Sequence, residues 1–510
     1  VADTGAADDI CAEKTPPRAW RDPVTWTIAA LVFGAYFAIS LFRLLQLNPS
    51  SWDLSIYTEY VKQLADLHAP IVDVRGPGTD LLGDHFQVGL AVLAPFFRLV
   101  PSAATLLFFQ ALLAAVSVFP VVAAGFALTG PGRGTGRLIG FGYGFSWGLQ
   151  QMVDFDFHEI ALAVPLLAFS LSALVRRRPL VAVCWAVPLV FVKEDQGFTV
   201  AAIGFYLLVA AWRRPAWTAG LRAIWGGAFL ILWGLGWSLI AITVIIPHFN
   251  GGHHYYYWKD GGVVGGGQSF SLGNLAGQSA SGLPAKLQTL FLLLLATAFT
   301  AVGSPVALLA LPSLALRFMS TNSAYWGTDW HYNATIMPVL FIAGAAGIAR
   351  WRAGSRASQA ESGLAKSGLA RPVASVSRAA RAGLARHGAP MMAAVCVALA
   401  FQFPLSNLWH GSTYTLNAHV AAADAAMAVV PDGATVQTNL DLLAPLAART
   451  DTFWLGNAGN PVTQYVVFDG QESGYSPAPA DVPAFIRQLY PGDGYVQVFA
   501  SDDVYVFKRG

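Results

Sequence analysis

Apolar runs of about 15 to 25 residues recur along most of the chain, separated by short polar turns, which is the pattern of a helical protein that crosses a membrane many times. Spans are predicted at residues 25–46, 102–128, 138–152, 160–175, 180–192, 197–212, 223–246, 286–303, 305–318, 334–349 and 389–404. The run 86–99 is short for a crossing, is broken by Pro95 and ends at Arg98 and Pro101, so a partial or horizontal helix is expected there. Between residues 47 and 85 the pattern changes: Leu54, Tyr57, Val61, Leu64 and Leu67 recur at helical spacing. That predicts an amphipathic helix lying along the membrane surface, with Asp53 at its N-cap. From residue 410 the pattern turns soluble, with an Ala-rich helix, strands at Ala434–Gln437 and Tyr465–Asp469, and a hairpin of Tyr495–Ala500 and Val504–Lys508. The expected fold class is a polytopic α-helical membrane protein of about 11 transmembrane helices plus the partial one, carrying a small α/β C-terminal domain.

Charge adds topology. Of the 510 residues 55% are hydrophobic and only 12% charged, far from the ~25% charged of soluble chains. Lys14, Arg18 and Arg21 precede the first span, and basic clusters recur at Arg133 and Arg137, Arg176–Arg178, Arg213 and Arg214, and Arg350 and Arg352. Basic loops stay cytoplasmic. The tail 1–23 is therefore expected inside, the first span is expected to act as a signal anchor, and loops 47–85, 247–284 and 319–333 are expected outside the transmembrane domain 24–349. Residues 350–388 hold eight Lys or Arg against the single acid Glu361, the composition of a cytoplasmic linker resting on anionic membrane lipids. A last helix within 389–409 then carries residues 410–510 to the extracytoplasmic side. The net charge of +2 sits in inter-helix loops and suggests no nucleic-acid partner. The preference for Arg over Lys, with abundant Ala and Gly, points to a GC-rich bacterial genome and so to a bacterial plasma membrane. Cys11, Cys184 and Cys396 lie far apart, which argues against a disulfide framework or a thiolate metal site.

Ionisable groups at the ends of spans are costly unless paired or used, so they are candidate functional residues. Three acidic groups share one face: Asp53 in Trp52–Tyr57, then Asp154, Asp156, His158 and Glu159, then Lys193, Glu194 and Asp195. Asp53 is the candidate general base, with a plain helix-capping role as the alternative. Asp154, Asp156, His158 and Glu159 could gather a divalent cation such as Mg, Mn or Zn, or form a solvated turn. Lys193 could hold a donor phosphate or close an internal salt bridge. Tyr57, Asp84, His85, His253, His254, Asp329 and His331 are loop candidates for acceptor binding. The run His253–Trp258 could stack sugar rings or form an interfacial aromatic belt, and the loop 247–284 that holds it, with its Gly/Ser-rich tract, reads as a mobile flap over a site. No phosphate-binding P-loop, dinucleotide fingerprint, HExxH or nucleophile elbow occurs in the sequence.

In order along the chain, Trp52-Asp53-Leu54-Ser55-Ile56-Tyr57, Gly83-Asp84-His85-Phe86, Asp154-Phe155-Asp156-Phe157-His158-Glu159 and Val192-Lys193-Glu194-Asp195 resemble an uncharacterised family of bacterial multi-pass membrane proteins allied to the GT-C glycosyltransferases. The resemblance covers about residues 47–350. It implies a polyprenyl-phosphate-sugar donor, catalysis on the external face, an essential acid at Asp53, and a second acidic motif at Asp154–Glu159. The chain lacks the Trp-Trp-Asp signature of oligosaccharyltransferases, so transfer of a preassembled glycan to asparagine is not expected. The expected function is transfer of a monosaccharide from the lipid donor to a cell-envelope glycan, lipid or protein. The alternatives are a transporter or flippase of lipid-linked sugars, whose charges should sit near the bilayer midplane on broken helices, and a scaffold that recruits envelope partners.

Overall fold

The computed structural model describes residues 18–130, 132–213, 221–259, 277, 280–362, 372–472, 474, 477 and 479–510. Cys11 and Lys14, most of the Gly/Ser-rich flap (260–276) and the middle of the basic linker (363–371) lie outside the described residues.

Among the described residues six helices are long and apolar enough to cross a membrane, and five shorter apolar helices lie between them. The first long one, α1 (Pro23–Leu45), starts where the Asp22 carboxylate accepts the Thr25 amide and Pro23 supplies a preset first turn. Asp22 also takes the Arg137 guanidinium at 2.5 Å, which ties the start of α1 to the helix Arg133–Gly144. Helix α2 (Asp53–Ala65) is short and follows the first turn. Helices α3 (Gln196–Arg213) and α4 (Leu221–Ile240) pack backbone to backbone. A Cβ added at Gly197 would come within 2.2 Å of the Gly234 carbonyl oxygen, so this close small-residue contact admits nothing larger. A π-helical turn, Ala241–Ile245, ends α4, and Ile246–Phe249 completes it. The last two long helices are α5 (Ile336–Ser362) and α6 (Pro372–Ala400).

Several expectations change. The span at 138–152 is two helices, Arg133–Gly144 and Trp147–Asp154, bent at Phe145 and Ser146. The run 86–99, by contrast, is a short helical segment as expected, a 3₁₀ turn, Val88–Leu93, leading into Ala94–Leu99. The span at 286–303 ends as a helix at Ala296, because Ala298 and Phe299 take positive φ and turn the chain. The basic linker is largely helical: α5 runs past Arg350 and α6 starts at Pro372, since Ala, Arg and Ser favour or tolerate helix once nothing breaks it.

The C-terminal domain is an α/β unit with a five-stranded sheet, β1 (Thr435–Thr438), β2 (Asp451–Trp454), β3 (Tyr465–Asp469), β4 (Tyr495–Ser501) and β5 (Val504–Arg509), in the order β2-β1-β3-β5-β4. β1 pairs parallel with β2 and β3, and the hairpin β4–β5 adds antiparallel to β3. The helix Leu440–Ala447 connects β1 to β2 and packs on α2. Leu54, Tyr57, Tyr60 and Val61 of α2 share one buried cluster with Leu443, Ala444 and Ala447. Lys62 Nζ donates to the Thr450 carbonyl at 2.6 Å, and Asn457 donates to that of Val74 at 2.9 Å. Helix α2 therefore lies buried between the bundle and the C-terminal domain rather than along a lipid surface, because the domain covers its second face.

Candidate functional site

Two adjoining chambers lie among the helix ends and loops that carry the candidate residues. The first, about 200 Å³, is lined by Asp53, Tyr57, Arg75, Asp84, His85 and His158 among others. The second, about 120 Å³, runs between the helices, lined by Glu194, Gln196, Phe198, Ile242, Leu316 and Arg317 among others. His85, Lys193, Tyr257, Tyr325, His331 and Tyr332 belong to both linings and form the partition.

Asp53 is the first residue of α2, one place beyond the expected cap; the N-cap is Trp52, and no side chain caps the helix. The Asp53 carboxylate accepts the Ser51 hydroxyl at 3.0 Å, while Ser51 Oγ receives the Asp53 amide. A carboxylate here needs no capping duty to explain it, and it borders the first chamber.

The partition is built around Glu159, fully buried at the turn before the helix Ala163–Val175. Its carboxylate takes the Tyr57 hydroxyl, pairs with His158 Nδ1, and meets Lys193 Nζ at 3.0 Å. A buried carboxylate is tolerated only when compensated in this way. Burial works against the Lys193 charge, but Glu159, Glu194 and Asp195 outweigh it and hold the ammonium well above the usual lysine range. His158 stacks on His331 with ring centroids 3.5 Å apart.

Glu194 anchors the other side. It accepts His85 Nδ1 at 2.7 Å, the Phe86 amide at 3.0 Å and the Tyr255 hydroxyl at 2.8 Å. Burial opposes its ionisation, yet His85 and Lys193 hold its carboxyl down at about 2. Burial and Lys193 oppose a charge on His85, while Glu194 and Asp84 overcome them and raise its pKa. Burial also pushes the Asp195 carboxyl up. Asp84 accepts the Tyr257 hydroxyl at 2.8 Å and lies 3.9 Å from Arg75. Tyr257 stacks on His85 at 4.4 Å, so the aromatic run after α4 closes over the partition.

The structure separates the four groups expected to share a cation. Asp154 pairs with Arg43 at 2.6 Å. Asp156 accepts the Ser50 and Ser51 amides at 2.9 and 3.0 Å and has a positive φ. Burial pushes the Asp156 carboxyl up to about 6, against the pull of Arg43 and those amides. Neither acid lines either chamber, and among the described residues no three His, Cys, Asp or Glu side chains converge as metal ligands. The residues expected to hold Mg, Mn or Zn thus do not fit one ion as placed: Asp154 and Asp156 clamp the loop before α2, and Glu159 and His158 build the partition. His253, His254 and Asp329 also stay out of both linings. His253 and His254 lie near the Pro247 and Gly252 carbonyls, and Asp329 is exposed.

Sequence reasoning missed Arg75, Tyr325, Tyr332 and Arg317. Arg317 is buried and donates to the Tyr325 carbonyl at 3.0 Å and to Asn333 Oδ1 at 2.8 Å, folding the loop 319–333 into the site. Its signal was available, as the one charge in an otherwise apolar run, Pro305–Phe318. Gln110 is similar: inside an apolar helix, it donates to the Asp156 carbonyl and accepts the His158 amide at 3.1 Å.

A family described as "Predicted membrane protein (DUF2079)" matches residues 43–476. The chain belongs to this family. Within DUF2079 the match covers α2, both chambers and most of the C-terminal domain. Among solved structures the chain is similar to ArnT from Cupriavidus metallidurans bound to undecaprenyl phosphate, with 14% identity over 95% of this chain and 97% of that one and a TM-score of 0.52. The apo state of the same protein aligns at 12% identity over the same shares, with a TM-score of 0.48. The undecaprenyl-phosphate-bound structure establishes a shared overall fold. The comparison with curated proteins gives no match.

Proposed function

We propose that this DUF2079 protein is a GT-C-type glycosyltransferase that moves a monosaccharide from a polyprenyl-phosphate donor to a cell-envelope acceptor on the extracytoplasmic side of a bacterial plasma membrane. The observation that carries this reading is the partition: an acid, Asp53, borders one chamber, and Lys193 borders both that chamber and one that descends among apolar side chains. A lipid phosphate at the partition would meet Lys193, His85 and Arg317, with its prenyl chain leaving past Phe198, Ile242 and Leu316.

The chemistry then needs few parts. Asp53 accepts the proton of the acceptor hydroxyl, that oxygen attacks the anomeric carbon, and the bond from that carbon to the phosphate oxygen breaks. Polyprenyl phosphate leaves with the added charge, which Lys193 and His85 offset from fixed positions, the usual source of most catalytic stabilisation. Glu159 and Glu194 act as positioning residues for those two cations.

The ArnT structure bound to undecaprenyl phosphate supports a lipid phosphate as the partner to test. Purified protein should bind undecaprenyl phosphate. Incubated with radiolabelled polyprenyl-phosphate monosaccharides and an envelope extract, it should move label out of the donor. Absence of both binding and transfer across the donor panel would overturn the reading. Binding with export of intact donor in vesicles, but no transfer, would favour a flippase.

A further inference from the structure

Gln87 belongs to the lining of the first chamber and is 1% exposed, and its Oε1 has no hydrogen-bond partner. A buried amide oxygen left unpaired is costly, and a folded chain keeps few of them. The backbone here is held from both sides. Phe86, just before it, gives its amide to Glu194 at 3.0 Å and stacks on Trp237 with ring centroids 5.7 Å apart. The Gln87 carbonyl accepts the Leu90 amide at 3.1 Å and starts the turn Val88–Leu93. The side chain therefore leaves from a fixed origin.

The charges of the same lining are already matched. Lys193 meets Glu159 at 3.0 Å, His85 meets Glu194 at 2.7 Å, and Arg75 lies 3.9 Å from Asp84, which also takes the Tyr257 hydroxyl. Arg75 further rests on the Trp52 ring, 5.0 Å from its centroid. The other acid of the lining, Asp53, accepts the Ser51 hydroxyl. With Lys193 and His85 facing the donor phosphate and Asp53 serving as base, any charge on the sugar would disturb a group in use. An amine would pair with Asp53 and take the base out of action. A carboxylate would have to compete with Asp84 for Arg75. A hydroxyl both donates and accepts, so it satisfies the Gln87 amide without bringing a charge into a buried place, where an unpaired ion is costly. At about 200 Å³ the chamber is smaller than the ~300–1,000 Å³ of drug-sized ligand sites, which suits one sugar ring. Trp52, Phe155, Tyr325 and Tyr332 give the lining aromatic surface, whose negative face suits the C–H side of such a ring.

Given the transferase reading, on which this rests, we propose that the first chamber selects an uncharged, hydroxylated monosaccharide as the donor sugar and that Gln87 is a specificity-determining residue, accepting a hydrogen bond from one of its hydroxyls.

The test is native mass spectrometry of the full-length protein in detergent micelles with bare undecaprenyl phosphate and with the same lipid carrying glucose, mannose, galactose, glucosamine or glucuronic acid. The wild type should hold the best of the three neutral forms more tightly than the bare lipid, and at least about tenfold more tightly than the glucosamine and glucuronic acid forms, since a buried unpaired charge outweighs one hydrogen bond. Gln87→Met should narrow the advantage of the neutral form over the bare lipid about fivefold, the worth of one hydrogen bond to a neutral partner. Its melting temperature should be no lower than that of the wild type, because the oxygen it removes has no partner to lose. No gain from a neutral sugar in the wild type, charged forms held as tightly as neutral ones, or an advantage that Gln87→Met leaves intact would each overturn the proposal. A lower melting temperature with equal losses for bare and sugar-bearing lipid would likewise overturn it and make Gln87 a packing residue. Retention of no lipid at all, bare or glycosylated, would instead overturn the transferase reading, and this assignment with it. Gln87→Leu gives the same decision should Gln87→Met not fold.

Discussion

The Lys193 ammonium lies 3.0 Å from the buried Glu159 carboxylate and still forms part of the wall of both chambers. One side chain therefore holds a structural pair together and offers a cation to a ligand. The two duties separate experimentally. Lys193→Met leaves Glu159 with Tyr57 and His158 but without the Lys193 ammonium, which should cost on the order of 3 kcal/mol of stability and lower the melting temperature. The double variant Lys193→Met with Glu159→Gln removes the uncompensated charge and should recover most of that loss. Neither variant should recover undecaprenyl phosphate binding. Recovery of binding in the double variant would show that Lys193 serves the pair alone.

Asp53→Asn keeps the hydrogen bond with Ser51 and changes no cap, since the α2 N-terminus has no side-chain cap to lose. As the proposed base, its loss should lower transfer about 10²- to 10⁴-fold, with melting temperature and lipid binding unchanged. A fall in stability that tracks the fall in activity would return Asp53 to a structural role.

The acidic face was legible because ionisable residues at the ends of apolar spans have so few inexpensive uses. Asp53, Asp84, His85, His158, Lys193, Glu194, Asp195 and His331 do meet at the two chambers. Spacing could not tell which acids would be claimed by partners distant in sequence. Arg43 lies 111 residues before Asp154, and only the folded chain pairs them. Helix ends were less legible for a related reason: Phe145 and Ala296 lie at helix ends inside runs whose hydropathy stays high. The hairpin β4–β5 was readable from alternation, and β1 and β3 were also expected as strands, whereas β2, held by its parallel partner β1 rather than by its own pattern, was missed.

The pair His85 and Glu194 gives the site a pH window. His85 has a folded pKa above its ordinary 6.5, so its contribution is full below that value and fades as pH rises through the folded one. Glu194 has a folded pKa of about 2 against an ordinary 4.5, so its contribution is full above 4.5 and fades as pH falls toward 2. The two overlap from about pH 4.5 to 6.5. The melting-temperature gap between the wild type and Glu194→Gln should be widest in that interval and narrow on both sides. A gap that does not vary with pH would mean that Glu194 acts through the Phe86 amide and Tyr255 alone.

Glu59 should behave in the opposite sense. It sits on α2 at 1% exposure, accepting the Val74 amide at 2.9 Å, and burial pushes its carboxyl up from 4.5 to about 8. The folded protein therefore keeps a proton that the unfolded chain releases above pH 4.5. Stability is greatest at low pH and declines until the folded pKa is passed, by up to about 3 kcal/mol at pH 7 at 1.36 kcal/mol per pKa unit. Gln preserves an oxygen for the Val74 amide and has no proton to lose. Glu59→Gln should thus match the wild type near pH 4.5 and melt higher at pH 7.5, measured by thermal shift in detergent. A variant less stable at both pH values would mean that the ionised carboxylate is compensated in place, with Lys62, the nearest cation acting on it, as the source.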